Sequence, residues 1–266
     1  MKKTLKTACL LAVSSLSLSV VAQSNEELAK QLANPVASLV SVPIQINYDE
    51  KIGLDDQGSR YTTNVQPVIP FKLSSDWNLI SRTILPVMSQ KNISAANESE
   101  QGVGDIVQSY FFSPSAPTQS GWILGAGPVF LVPTASDDFL GTDKWGTGLT
   151  GVALKQSGPW SYGALANHIE SFAGKSERAD ISNTFIQPFV TYTTHQAITV
   201  SLNTESTYNW EASQWSVPVN LNVTKVFKVQ NQLLSVGGGL RYWAKTTDTG
   251  PEGLGLRLSI TFLFPK

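Results

Sequence analysis

From Ser41 onward the chain alternates between apolar and polar residues. Val42, Ile44, Ile46 and Tyr48 take turns with Ser41, Pro43, Gln45 and Asn47. The same rhythm returns at Ile198, Val200 and Leu202, and again at Val217, Val219, Leu221 and Val223. Its longest run is Leu254, Leu256, Leu258, Ile260, Phe262 and Phe264. A period of two over this length predicts strands with one oily and one wet face. Twelve such segments are predicted, at 36–48, 61–73, 77–88, 104–113, 121–132, 145–156, 159–171, 182–194, 197–208, 215–228, 232–244 and 254–264. Most are about as long as a tilted strand that crosses a bilayer. Segments four and six are less regular, because glycines and mixed residues blur their faces. One helix precedes them at 24–34, where Ser24 can cap, Glu26 and Glu27 suit the positive end, and Pro35 stops the helix.

The connections alternate as well. Tight turns such as Ser74-Ser75-Asp76, Ser157-Gly158 and His195-Gln196 are interleaved with longer polar loops such as Asp49 to Arg60. A membrane barrel has this asymmetry, with short periplasmic turns and longer outer loops. A soluble sandwich has no reason to place its long loops at one end. Asp55, Asp56, Glu98, Glu100, Asp137 and Asp138 all fall in the predicted outer loops. Trp77, Trp122 and Trp160 mark the short-turn end, and Trp145, Trp210, Trp215 and Trp243 the other, as two aromatic girdles would. Against a plain ladder stand Pro43, Pro67, Pro70, Pro86, Pro128, Pro188 and Pro218, all inside predicted strands. Each removes a ladder hydrogen bond, so bulges or kinks are expected, and with them a sideways exit through the wall.

Composition narrows the class further. Residues 1–22 read as an export signal, with Lys2, Lys3 and Lys6 ahead of a short apolar run and small residues before the expected cut after Ala22. The single cysteine, Cys9, lies within that signal, so no disulfide supports the mature chain. Losing three lysines moves the formal charge from −1 to −4, which excludes a nucleic-acid partner. The expected organisation is therefore a signal peptide at 1–22, a helix at 23–35 that lies at the periplasmic mouth or plugs the lumen, and a barrel at 36–266. The fold class is all-β, a transmembrane antiparallel up-and-down barrel of about twelve strands in the bacterial outer membrane. Its expected partners are membrane lipid and lipopolysaccharide, the barrel-assembly machinery and small-molecule solutes.

Little in the chain carries chemistry. There are two histidines, His168 and His195, and no spacing typical of a metal site. No cofactor, metal or catalytic residue is expected. His168 and Glu170 share a strand face while Ser171 lies on the other, so no His–Ser pair forms within that strand. Gly237-Gly238-Gly239 reads as a bend or a close approach between strands. Charges within strands are more informative, since charge facing lipid at mid-depth costs ~2–4 kcal/mol. Arg82, Asp105, His168, Glu170, Glu205, Arg241 and Arg257 are accordingly expected in the lumen, either as a solute-selecting constriction or as a ladder bracing the interior.

The stretches LANPVASLVSVPIQ (32–45), ALANHIESFAG (164–174), TESTYNWEASQWSVPVN (204–220) and RYWAKTTDTGPEGLGLRLSITFLFPK (241–266) resemble the outer-membrane family labelled with the MetA pathway of phenol degradation. The resemblance covers nearly the whole mature chain. It implies a barrel and passage of small, aromatic or otherwise hydrophobic compounds, and it supplies no catalytic residue. The chain end resembles a barrel-assembly signal at Phe264, departing from it in Pro265 and Lys266. The expected function is thus a channel or transporter. The rivals are a structural or adhesive barrel without transport and a barrel-type hydrolase.

Overall fold

In the computed structural model, which describes residues 23–265, the alternating segments close into one antiparallel barrel. The signal segment 1–22 and Cys9 lie outside the described residues. The wall consists of β1 (Val40–Ile52), β2 (Gly58–Val65, resuming as Val68–Lys72), β3 (Trp77–Lys91), β4 (Ser99–Val103, resuming as Ile106–Pro114), β5 (Trp122–Val132) and β6 (Lys144–Ser157). It continues through β7 (Trp160–Gly174), β8 (Ser182–Thr193), β9 (Ile198–Thr204, resuming as Ser206–Asn209), β10 (Gln214–Val229), β11 (Gln232–Lys245) and β12 (Gly253–Phe264). Each strand pairs with its sequence neighbours. β12 returns to β1 in an unbroken register from Val40↔Phe264 to Tyr48↔Leu256, which removes the last edge.

That register sets the faces. Val42, Ile44, Ile46 and Tyr48 stand opposite Phe262, Ile260, Leu258 and Leu256 on the outside. Leu254, Leu256 and Leu258 are more than half exposed. Asn47 and Arg257 face each other inside and are buried. An exposed belt this apolar, around a buried polar interior, is the inverse of a soluble protein. At the short-turn end it is rimmed by the edge-on pairs Trp122–Tyr162 and Trp160–Tyr192, with ring centroids 6.3 and 4.9 Å apart. At the other end Tyr208 packs on both Trp210 and Trp215, at 4.8 and 5.0 Å.

Several sequence expectations change in detail. β1 and β2 run on to Ile52 and from Gly58, so the connection read as a long loop from Asp49 is mostly hairpin, and Asp49 belongs to a strand. Trp243 turns inward instead of joining the outer girdle, and its indole donates to Asp49 Oδ1 at 2.7 Å. Three strands are broken, at Gln66-Pro67, Gly104-Asp105 and Glu205. The wall nevertheless stays closed. Across the breaks Gln66 donates to the Pro43 carbonyl at 2.8 Å, Thr83 to that of Pro67 at 3.1 Å, and Gly104 to that of Pro86 at 2.8 Å. The expected sideways exit is therefore absent from this closed form: proline removes the donor half of each exchange, while its carbonyl still receives the neighbouring strand. Gly239 explains the glycine run. A Cβ there would lie 2.0 Å from the Leu221 carbonyl oxygen and 2.5 Å from Asn222 Oδ1, so its neighbours leave no room for a side chain.

The interior has two halves. On the side of β3–β8, Ile80, Phe111, Val152, Leu154 and Leu165 face inward and enclose Val36, from the segment ahead of β1. On the side of β9–β12 and β1 the interior is polar and charged. Ahead of the barrel, α1 (Asn25–Leu32) is closed at its start by a capping box of Ser24 and Glu27. Leu28 and Ala29 from α1 pack with Ala37, Leu39, Ala197, Val226 and Leu263, at the short-turn end of the bore.

Candidate functional site

Midway along the lumen, five strands contribute to one ionic cluster. Arg257 (β12) presents its fork to Glu205, at 2.8 Å from Nη1 to Oε1 and 2.7 Å from Nη2 to Oε2, and its Nε donates to Asn47 Oδ1 at 2.7 Å. Gln45 lies against it, its amide oxygen 2.8 Å from Nη1 when turned to face the guanidinium. Arg241 (β11) sits 3.5 Å from Glu205 and 3.4 Å from Asp49, and its guanidinium stacks 4.6 Å above the Trp243 ring. Its Nε approaches Asp49 without the alignment of a hydrogen bond and has no other partner. β9 is interrupted at Glu205, whose amide still donates to the Pro218 carbonyl at 3.3 Å while its side chain reaches the cluster. Arg82 (β3) completes the group from across the bore and donates to Gln66 Oε1 at 2.8 Å.

Of the lumen candidates named from sequence, the structure gathers Arg82, Glu205, Arg241 and Arg257. The other three lie elsewhere. Asp105 is at the outer rim, where its carboxylate accepts from the Thr142 backbone and hydroxyl, both at 2.6 Å, and from the Ala135 backbone at 3.1 Å. It fastens the 133–143 loop to the rim. His168 and Glu170 are corrected to the outer wall. His168 stands opposite Leu149, which is 74% exposed, on the face away from the buried Leu165 and Ile169. The rule that charge avoids lipid applies at mid-depth, whereas these residues sit beside the upper aromatic girdle. There His168 Nδ1 meets Thr184 Oγ1 at 2.8 Å and Nε2 meets Glu170 at 3.2 Å, while the Trp210 indole donates to the same Thr184 hydroxyl at 2.8 Å. Sequence reasoning missed Asn47, Asp49 and Gln66. Alternation marks Asn47 only as part of the wet face, and Asp49 falls in the predicted loop.

Polar ties fasten the outer loops at one end of the barrel and α1 at the other. Outside, Lys175 joins Asp138 and Asp143 at 3.2 and 3.1 Å, which raises the pKa of its ammonium, and Arg178 bonds the carbonyls of Asp138 and Gly141. Lys144 pairs with Asp180 at 2.8 Å and holds that carboxyl below its usual range. Asp138 is thus engaged by a cation of this chain. At the short-turn end α1 is tied by Gln156, which donates to the Lys30 carbonyl at 2.8 Å, and by Glu26, which meets His195 at 2.9 Å. Between this segment and the ionic cluster lies a chamber of about 290 Å³. Leu32, Leu39, Gln66, Arg82, Phe189 and Thr199 are among the residues that border it.

No family model matches the chain, and no curated protein is similar to it in sequence. Among solved structures, an outer membrane channel from Pseudomonas putida F1 superimposes with a TM-score of 0.66 over 85% of this chain and 96% of that one, at 14% identity. The outer membrane phospholipase A of Escherichia coli follows at a TM-score of 0.48 and 10% identity, over 86% and 99%. The closed wall, the apolar belt and the first of these likenesses define the class: a twelve-stranded β-barrel of the bacterial outer membrane.

Replacing Glu205 with Gln leaves Arg257 unpaired in a buried setting. The expected cost is ~3–5 kcal/mol, read as a lower urea midpoint for unfolding from lipid vesicles. Removing Arg257 as well, by Arg257→Met, is expected to recover part of that loss. The α1 contact carries a pH signature. Lys30 first, and His195 second, hold the Glu26 carboxyl below 4.5. A depressed carboxyl stabilises above its ordinary value and loses that contribution as pH falls through the lowered one. Limited proteolysis of α1 is therefore expected to rise as pH falls below the ordinary carboxylate range. In Glu26→Gln that acid step should be missing.

Proposed function

We propose that this barrel passes small hydrophobic or aromatic molecules across the outer membrane. The observation that carries the reading is the chamber between α1 and the ionic cluster, where apolar side chains of the N-terminal segment meet a wall of hydroxyls and amides. A barrel that only braced the membrane would gain nothing from leaving that volume open, because unfilled space forfeits contacts. The space is too small for a wide aqueous pore and suits a ring-sized solute. The P. putida neighbour being an outer membrane channel supports this reading, as does the family resemblance of residues 32–45, 164–174, 204–220 and 241–266.

Reconstitution into liposomes tests it against a panel of phenols, alkanes and inorganic ions. Phenol flux is expected above that of protein-free liposomes, with little ion conductance while α1 is seated. No flux of any organic solute would return the protein to a structural or adhesive role.

A second reading rests on one observation. Glu170, His168 and Thr184 form a continuous hydrogen-bonded chain at the level of the outer girdle, in the order of carboxylate, imidazole and hydroxyl that an acyl hydrolase needs. Against it, the Thr184 hydroxyl already accepts the Trp210 indole proton, which draws electron density from the oxygen that would attack. His168→Ala is expected to leave phospholipid and p-nitrophenyl ester turnover at the background of the native protein. A hydrolytic rate abolished by that substitution would favour the enzyme.

A further inference from the structure

We propose that the lumenal chamber is a binding site for a small carboxylate borne on an apolar or aromatic body, with Arg82 as the group that reads the carboxylate. The inference rests on the transport reading above and narrows its substrate class.

The charge arrangement leads to it. Around the bore, Arg60, Arg82, Arg241 and Arg257 face Asp49, Glu100 and Glu205. Glu205 is held by both oxygens to Arg257, and Asp49 lies between Arg241 and Trp243. Higher up, Arg60 donates to Gln90 at 2.9 Å, and Gln90 donates to Glu100 at 3.1 Å. Each carboxylate in this set is engaged, and one positive charge is left over. It falls on Arg82, which among the described residues has no carboxylate within 4.0 Å and bonds only the neutral Gln66. A guanidinium has five N–H donors. Those of Arg82 that miss Gln66 make no other hydrogen bond within the protein, and none is sealed from space without a partner. Arg82 lines the chamber, and among the described residues it is the one charged group that does.

The remainder of the wall sets the shape of the ligand. Leu32, Ala37, Leu39 and Phe189 make part of the lining apolar, and the hydroxyls of Thr191 and Thr199 are among its polar groups. At about 290 Å³ the space is enough for one substituted ring or a short chain. A carboxylate matches the planar fork of arginine, and desolvation strengthens that pairing where a neutral solute gains nothing comparable.

The test uses the full mature barrel in phosphatidylcholine nanodiscs, with calorimetric titration of benzoate and of benzyl alcohol, which has the same body without the charge. The native protein is expected to bind benzoate about tenfold more tightly. Arg82→Gln is expected to bind the two alike, and Arg82→Lys, which keeps the charge but loses the fork, to fall between. Heat-modifiable migration on a detergent gel checks closure of each variant. If Arg82→Gln does not close, Arg82→Lys decides: an unchanged preference would overturn the proposal, and a reduced one supports it. Equal binding of both solutes by the native protein would overturn it outright, as would a preference that survives in Arg82→Gln. Liposome flux of the two solutes separates this from the transport reading. Selective binding without flux of either would sink transport and leave the site; flux of both without selective binding would do the reverse.

Discussion

Inside a hydrocarbon layer the backbone has no water to bond, so every amide and carbonyl must find a partner in the wall. Closing β12 on β1 satisfies this requirement, and much of the molecule follows from it. Side chains on the outer face must then be apolar, so ionised groups at mid-depth have only the lumen available. Proline is tolerated where just the donor half of an exchange is lost. At Pro43, Pro67 and Pro86 the carbonyl still receives an amide from the adjoining strand, so each interruption costs one bond and opens no gap.

A twelve-stranded barrel is narrow, and its interior must be filled or functional. Here it is filled in two ways. The β3–β8 side uses aliphatic packing around Val36, and the opposite side uses an ionic cluster. The two are complementary. Arg257 and Glu205 are buried together with Asn47 and Gln45 supplying further hydrogen bonds, as a desolvated pair requires if it is not to be a net loss. The inward Gly239 stands opposite Arg257 in the next strand and beside Asn222, so the absence of its side chain leaves room at the most crowded level of the cluster.

The same division explains what could be seen in the sequence. β1, β9, β10 and β12 line the polar half of the lumen, so their two faces differ and their alternation is plain. β4 and β6 line the aliphatic half. Phe111, Val152 and Leu154 point inward there while Phe112 and Leu149 point outward, and with both faces oily the period of two fades. Position along the strand was the other hidden quantity. Parity places Arg82, Arg241 and Arg257 correctly because they lie deep in the wall, where charge toward lipid is costly. It fails for His168 and Glu170, whose strand passes into the girdle region and can carry polar groups outward. Asp49 is hidden because it opens the polar run Asp49-Glu50-Lys51, and a polar tail on a strand looks like a loop.

The chamber exists because α1 and the ionic cluster occupy different depths. The helix is the weaker of the two boundaries. Its polar ties, Glu26 to His195 and Gln156 to the Lys30 carbonyl, are few, and the exposed Glu26–His195 pair contributes little. Its main hold is apolar, through Leu28 and Ala29 against Val226, Ala197 and Leu263. Burial of a side chain the size of leucine contributes ~1.5–3 kcal/mol. A solute shifts such a boundary only if it binds the seated and unseated states unequally. Leu32, Ala33 and Asn34 border the chamber directly, so any occupant large enough to touch them competes with the packing that seats the helix. On the proposed transport reading, the contact that retains a solute is therefore also the contact through which that solute loosens its own barrier.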